Sequence, residues 1–177
     1  MGPCEQARRL FFALGLSAEQ KQHIKQWLSR HATLSKAPTQ CRNWHLTLMF
    51  LGQVEQEQAQ QLINDARKLV VPRFSLTLDE HDYWPHNGLF HLRPSAPEPH
   101  LLTLAAELRA LAGQHQIHDQ HSRYHPHVTL ARNLKTPPKV ERPMPPLQMD
   151  IDHFTLYHST RDDQGLVYKP IAEFACS

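Results

Sequence analysis

Two short stretches of the chain carry the same residue types at the same spacing. His45 and Thr47 stand in the stretch HLTL, and His127 and Thr129 stand in the stretch HVTL. In a β-strand, residues two apart share a face, whereas a helix would separate them by about 200°. We therefore expect two strands, each presenting its histidine and threonine on one face and its apolar residues on the other.

Two histidines that face each other suit a reaction in which one oxygen loses a proton and another oxygen gains one. The ordinary histidine pKa of about 6.5 lets one ring act as base while the other acts as acid near neutral pH. The threonine hydroxyls can donate hydrogen bonds to charged oxygens. Arg132, five residues after His127, can clamp an anion. This chemistry favours a phosphodiester or a cyclic phosphate, attacked in line.

Hydrophobic periodicity predicts the elements that must position these groups. Ser17 and Gln20 form a capping-box pattern ahead of a helix over about 18–32. A second helical stripe runs to Pro72, and a third stops at Gly113. Strands are predicted at 8–16, 44–52, 73–84, 88–94, 126–132, 147–159 and 165–176, with an extended proline-rich loop at 136–146. This order predicts an α+β fold with two mostly antiparallel sheets, helices outside and a central cleft.

Composition limits the class of protein. The chain has 177 residues, 40% of them hydrophobic, and a formal net charge of only +2, which argues against a general nucleic-acid coat. No stretch approaches the roughly 20 apolar residues of a membrane span, and no signal peptide is evident. There are three cysteines, and no two of them form a Cys-x-x-Cys pair. We therefore expect a cytoplasmic protein with no disulfide framework and no membrane partner.

Two other groups of residues offer alternatives. Several histidines crowd one segment and could suggest a metal site: His115, His118, His121, His125 and His127. They lack a cysteine or carboxylate partner at a dedicated spacing, so we predict no functional metal. Lys135, Lys139 and Arg142 lie near the proline-rich loop, where they could meet an RNA backbone or simply form a solvated surface.

The repeated motif and its flanks resemble a known family. HLTLMFLG and HPHVTLAR are similar to the paired His-x-Thr-x motifs of the two-histidine phosphoesterase superfamily. RLFFALGLS and FTLYHSTRDDQGLVYKPIAEF resemble the bacterial branch of 2'-5' RNA ligases, also called RNA 2',3'-cyclic phosphodiesterases. The resemblance runs from about residue 8 to 175.

The resemblance implies one bilobal, pseudo-symmetric domain over residues 1–177 with both motifs in its central cleft. It implies an enzyme without a cofactor that opens RNA 2',3'-cyclic phosphates to 2'-phosphates and reversibly joins such ends to 5'-hydroxyls. By family analogy His45 is the proton donor and His127 the proton acceptor. The sequence alone does not order these two roles.

The partner implied is RNA with a 2',3'-cyclic phosphate or a 2'-5' linkage, tRNA fragments included, bound by a monomer. Stacking on a base needs aromatic side chains beside the cleft. The candidates are Phe11, Phe12, Tyr124 and Tyr157. The alternative interpretation is a non-catalytic RNA-end-binding module on the same fold, but binding alone would not need two opposed titratable groups.

Overall fold

The computed structural model describes residues 7–119 and 123–177. These residues contain three α-helices and a short 3-10 helix: α1 (Ala18–His31), the 3-10 helix (Cys41–Asn43), α2 (Gln56–Ala66) and α3 (Pro99–Gln114). The strands are β1 (Arg8–Gly15), β2 (Ala32–Thr33), β3 (His45–Val54), β4 (Phe74–Leu78), β5 (Glu80–Trp84), β6 (Leu89–Arg93), β7 (Val128–Ala131), β8 (Lys139–Val140), β9 (Leu147–Ile151), β10 (His153–Asp162) and β11 (Gly165–Ala175). No helix in the described ranges is long and apolar enough to cross a membrane.

Seven strands form one antiparallel sheet in the order β11-β10-β1-β3-β7-β6-β5. Strands β3 and β7 meet through a single register pair, Leu46 with Val128. The sheet therefore has a four-stranded half and a three-stranded half that join between the two histidine motifs. The α+β class and the antiparallel pairing are confirmed, and the two expected sheets are the two halves of this sheet.

Burial explains which face of the sheet carries the core. Leu46, Val128 and Leu130 are fully buried, and α3 packs against β3. The alternating residues of both motifs lie on the opposite face, which is only partly covered. Since one face of each strand is committed to apolar packing, a shift by one residue would bury the histidines.

Helix α1 begins as predicted. The Ser17 hydroxyl oxygen accepts from the Gln20 backbone N–H at 3.1 Å, and the Gln20 side-chain oxygen accepts from the Ser17 N–H at 2.8 Å. This reciprocal capping box satisfies two backbone donors that the first helical turn leaves unpaired. Ile24, Trp27 and Leu28 form the buried side of the helix.

Several predicted boundaries were wrong. The run 73–84 is two strands in different sheets, because the chain breaks at Asp79, whose carboxylate accepts hydrogen bonds from Ser95. The run 147–159 likewise divides between β9 and β10. Helix α2 ends at Ala66, well before Pro72, and leaves Val70 exposed. Helix α3 continues through Gly113 to Gln114.

Candidate active site

The two motifs meet across the β3–β7 junction. Because Leu46 pairs with Val128 in antiparallel register, continuing that register by one residue in each direction sets His45 across from Thr129 and Thr47 across from His127. All four side chains then lie on the face opposite the buried Leu46 and Val128. Each histidine thus stands beside the threonine of the other motif, in a crosswise arrangement that neither motif forms alone.

Two hydrogen bonds fix the ring of His45. Its Nδ1–H donates to the backbone carbonyl of Asn43 at 2.7 Å, and its Nε2 accepts from the Thr47 hydroxyl at 2.7 Å. A carbonyl oxygen can only accept, so Nδ1 carries the proton of the neutral ring. Nε2 is therefore the nitrogen that can take up or release a proton on the open face.

The carbonyl that orients His45 is itself anchored to the β10–β11 hairpin. The Asn43 side-chain amide donates to the Leu166 carbonyl at 2.8 Å. The preceding residue, Arg42, forms a bidentate ion pair with Asp162 at 2.8 and 3.0 Å. These contacts hold the 3-10 helix against strand β11 and so position the residues that lead into β3.

Aromatic rings surround His45 and shape its acidity. The centroids of Phe11 and Tyr168 lie 4.8 and 5.0 Å from its ring. Burial lowers the pKa of His45 from 6.5 to about 4, against the opposing effect of the bond to the Asn43 carbonyl. The positive charge of Arg132 lowers the pKa further. In the free protein His45 is therefore neutral at pH 7.

His127 repeats the backbone arrangement on the other half of the sheet. Its Nδ1–H donates to the backbone carbonyl of His125 at 2.6 Å, again two residues earlier in the chain. The Trp84 ring lies 4.9 Å from His127 between centroids, and the His91 ring lies 5.3 Å away. Both motif histidines consequently share one tautomer, with Nε2 as the nitrogen that exchanges protons.

His91 is a third histidine of the site, and it is fully buried. It pairs with Thr129 in the β6–β7 ladder, and its centroid lies 4.2 Å from that of Trp84. Neither ring nitrogen has a hydrogen-bond partner among the described residues. Burial, followed by the charge of neighbouring His127, lowers its pKa to about 4, although the nearby Leu89 carbonyl opposes the shift. His91 is therefore a buried, neutral ring that lies against His127.

Two cavities flank the four motif residues. A cavity of about 290 Å³ opens on one side, and its lining includes Lys36, Asn43, His45, Thr129, Arg132 and Tyr168. A second cavity of about 370 Å³ opens on the other side, and its lining includes Thr47, Phe50, Trp84, Arg123, Tyr124 and His127. Each cavity contains one motif histidine and the threonine of the other motif, as the register requires. Hydroxyls and cations beside a titratable ring suit an anionic phosphate.

The sequence matches a known family over most of its length. The family model of the 2'-5' RNA ligase superfamily matches residues 12–163. The chain belongs to this superfamily.

Relatives and solved structures agree with the assignment. An RNA 2',3'-cyclic phosphodiesterase of Escherichia coli (strain K12) is 32% identical over 169 residues, covering 95% of this chain and 96% of the relative. A protein of the same name from Thermotoga maritima is 27% identical, covering 93% and 94%. The crystal structure of E. coli LigT complexed with NADP+ is similar with a TM-score of 0.87 and 31% identity, covering 97% of this chain and 99% of the other.

Membership of the superfamily confirms the resemblance of the motifs, while the structure corrects one of the aromatic candidates. Phe12 is fully buried in the core, where it packs against Phe154 and Phe174. It lies on the face away from the site, so its predicted stacking on a base is wrong. Phe11 is on the site face but only 3% exposed, and it supports the His45 ring rather than offering an open surface.

The remaining aromatic candidates both lie near the superfamily motifs. Tyr157 stacks on Phe11 with centroids 5.4 Å apart and lines a small cavity behind His45. Tyr124 donates its hydroxyl to the Thr47 carbonyl at 2.8 Å, which ties the segment before β7 to β3. Burial raises the pKa of the Tyr124 phenol far above its ordinary value, so it stays a hydrogen-bond donor.

The histidine-rich segment is dispersed in the structure. His115 pairs with Asp65 on α2 at 2.7 Å, whereas His127 lies in the site and His121 falls outside the described residues. Within 7–119 and 123–177, no group of three or more His, Cys, Asp or Glu side chains could hold a metal ion. The basic residues near the proline-rich loop are exposed and line neither cavity of the site: Lys135, Lys139 and Arg142.

Sequence reasoning missed three residues around the histidines: Trp84, His91 and Tyr168. Trp84 and Tyr168 lie in strands that were predicted, at half-buried positions of β5 and β11. Alternation indicates which residues share a face, but it does not indicate which strands become neighbours. Their contacts with His127 and His45 depend on the sheet order, which the local pattern does not contain.

Proposed function

We propose that this protein is an RNA 2',3'-cyclic phosphodiesterase that opens 2',3'-cyclic phosphate ends to 2'-phosphates. We also propose that it reversibly joins such ends to 5'-hydroxyl RNA through a 2'-5' linkage. The observation that carries the proposal is the crosswise arrangement of His45, Thr47, His127 and Thr129 on one face. Its support is the similarity, over nearly the whole chain, to relatives named for this activity.

The proposed reaction is an in-line displacement at phosphorus. His127 Nε2 removes a proton from water as its oxygen attacks, and the bond from phosphorus to the 3'-oxygen breaks. His45 delivers a proton to that 3'-oxygen, so a 2'-phosphate and a 3'-hydroxyl result. Thr47, Thr129 and Arg132 hold the non-bridging oxygens, where negative charge develops.

Ligation uses the same assignment, because a 5'-hydroxyl simply replaces water as the nucleophile. The two roles exchange only when a 2'-5' linkage is cleaved. The 3'-hydroxyl then attacks with His45 as base, and the 5'-oxygen leaves with a proton from His127. One pair of imidazoles therefore serves hydrolysis, ligation and cleavage.

The acidity of His45 adds a condition to this mechanism. With its pKa lowered to about 4 in the free protein, His45 is mostly unprotonated near pH 7 and so lacks the proton that a general acid must donate. A phosphate bound beside the ring brings negative charge that raises the pKa. The proton-donating form is thus populated mainly in the substrate complex, and the acid becomes available where it is needed.

The test is turnover of an oligonucleotide with a 2',3'-cyclic phosphate in the presence of EDTA, followed by identification of the phosphate position. His45→Ala or His127→Ala should lower turnover by roughly 10²–10⁴-fold while RNA binding survives. His23→Ala, an exposed histidine of α1, serves as the control. Near-normal turnover of either motif variant would refute its assigned role, and binding without turnover by the native protein would favour the non-catalytic RNA-end-binding module.

The same proposal includes the setting of the enzyme. Residues 1–177 act as one two-lobed domain, without a cofactor, as a cytoplasmic monomer on RNA ends that include tRNA fragments. Light scattering coupled to size exclusion tests the monomer, cell fractionation tests the location, and sequencing of 2'-phosphate ends in cells with and without the protein tests the RNA. A stable dimer or a membrane-bound fraction would contradict this part alone.

A further inference from the structure

A groove of about 690 Å³ lies between helix α1 and the segment 34–40, beside the cavity that contains His45. Its walls include Leu28, Leu34 and Trp44, and we call it the α1 groove. The groove and the His45 cavity share the residues 36–40, so this one segment of chain separates them. A ligand that leaves the His45 cavity across the segment 36–40 enters the α1 groove.

The segment between the two cavities is held in place from both sides. The Thr39 backbone N–H donates to the Leu130 carbonyl at 2.8 Å, which ties the segment to strand β7. The Gln40 side-chain amide donates to the Gln164 carbonyl at 2.8 Å, on the β10–β11 hairpin. The α1 groove is therefore a preformed neighbour of the reacting centre, as ligand sites usually are.

The groove combines an apolar surface with positive charge. Its volume lies within the roughly 300–1,000 Å³ of small-molecule sites. Leu28, Leu34 and Pro38 contribute apolar surface, while the described part of the lining contains two exposed lysines, Lys25 and Lys36, and no carboxylate. An apolar surface beside cations suits a flat ring system on an anionic chain.

Trp44 adds a hydrogen-bond donor that the protein leaves unused. The side chain is 3% exposed, and its indole Nε1–H has no acceptor within residues 7–119 and 123–177. The indole of Trp27, by contrast, donates to the Arg142 carbonyl at 2.7 Å. Buried donors are rarely left without an acceptor. The Trp44 nitrogen is itself enclosed, so the ring must turn slightly toward the groove to reach an acceptor there.

The proposed reaction identifies a ligand of this description. The leaving 3'-oxygen faces His45, so the strand that ends in the cyclic phosphate enters from the side of the His45 cavity. From the 5'-oxygen of the last nucleoside, the strand continues through a phosphate to the preceding nucleotide. Lys36 lines both cavities and is the cation nearest to such a crossing. A nucleobase then offers the groove an apolar face and acceptor atoms on its edge.

We infer that the α1 groove is a subsite for the nucleotide that precedes the cyclic phosphate, with its base against the apolar wall and Trp44 and its linking phosphate on Lys36. This inference rests on the proposed function and deepens it. It makes the protein selective for the end of an RNA strand over a free cyclic nucleotide.

The experiment compares two substrates with the same reacting end. Adenosine 2',3'-cyclic phosphate needs only the reacting centre, whereas UpA with a 2',3'-cyclic phosphate also needs the α1 groove. In Trp44→Phe, which keeps a ring but removes the N–H, the ratio of kcat/KM for the dinucleotide to kcat/KM for the mononucleotide should fall about 2- to 12-fold. The loss should lie mainly in KM.

Lys36→Gln tests the linking phosphate at an exposed position where folding is not at risk. The slope of log kcat/KM against log salt is steeper for the dinucleotide than for the mononucleotide, and in this variant the difference between the two slopes should shrink by about 0.7. The matched control is Lys135→Gln, since Lys135 is exposed and lines neither cavity. Its slopes should equal those of the native protein.

Two results would overturn the subsite. One is an unchanged difference between the slopes in Lys36→Gln, and the other is an equal loss on both substrates in Trp44→Phe, which indicates a merely structural ring. Failure of the native protein to open either cyclic phosphate would instead refute the proposed function. The two failures are therefore distinguishable.

Discussion

Replacing His91 with phenylalanine should make the protein more resistant to acid. His91 is fully buried, without a hydrogen-bond partner for either ring nitrogen within the described part of the chain, and its pKa is lowered to about 4. Between the ordinary pKa of 6.5 and that value, the unfolded chain binds a proton that the folded chain does not. Stability that is present above pH 6.5 is therefore lost as the pH falls toward 4.

The size of the effect follows from the two pKa values. For a group that changes from 6.5 in the unfolded chain to about 4 in the folded chain, the loss at pH 5 is about 2 kcal/mol relative to pH 7.5. It approaches about 3.4 kcal/mol below pH 4. A phenylalanine ring cannot titrate, so the His91→Phe variant should not show this loss of stability at low pH. The corresponding loss due to His45 should occur in both proteins.

The assay is urea unfolding of the native protein and of His91→Phe at about pH 7.5 and about pH 5. The free energy of unfolding should fall by about 2 kcal/mol less in the variant. His86→Phe, an exposed histidine on the preceding turn, shows whether removal of any histidine has this effect. An equal pH-dependent loss in the native protein and in His91→Phe would refute the reasoning, because His91 would then not titrate on unfolding.

Three further predictions concern the site. Thr129→Val should raise the barrier by about 2–4 kcal/mol through loss of a donor to the phosphate, and normal kinetics in this stably folded variant would reduce Thr129 to a strand residue. Gly15→Ala should lower Tm, because the added Cβ would meet the Tyr157 hydroxyl oxygen at 2.9 Å. In a Tyr157→Phe background the same substitution should lower Tm by less, and an equal decrease in both backgrounds would contradict the clash. Activity should persist in EDTA with a bell-shaped pH profile, and the limb due to His45 should lie at lower pH in kcat/KM than in kcat, since bound phosphate raises its pKa. Coincident limbs would contradict the rise of the His45 pKa on phosphate binding, whereas activity restored only by one divalent ion would contradict the two-histidine mechanism.

The motif strands could be predicted because each carries a strict alternation. Leu46 and Val128 point into the core, so the polar residues directly before and after each of them must lie on the other face. The same logic did not separate Phe11 from Phe12, since adjacent aromatic residues fit either face equally well. Only the packing of Phe12 against Phe154 and Phe174 decides the matter, and those residues are more than 140 positions away.

The strand breaks could not be predicted for a related reason. The run 73–84 is interrupted at Asp79, whose carboxylate accepts hydrogen bonds from Ser95, sixteen residues later. The strands on either side then enter different sheets, β4 with β9 and β5 with β6. A local pattern of alternation contains neither the partner of Asp79 nor the choice of sheet, both of which depend on tertiary contacts.

Main-chain carbonyls, two residues before each histidine, set the orientation of both rings. Many proteins use a carboxylate side chain for this purpose, and a mutation of that side chain then disturbs the histidine. Here the orienting atom is a main-chain oxygen, which every residue at position 43 or 125 supplies, although at position 43 the Asn side chain also anchors the backbone through its bond to the Leu166 carbonyl. A transplant of this chemistry onto another scaffold would need to copy the backbone path over 43–47 and 125–129, together with the Arg42 and Asn43 contacts that hold the first of these segments.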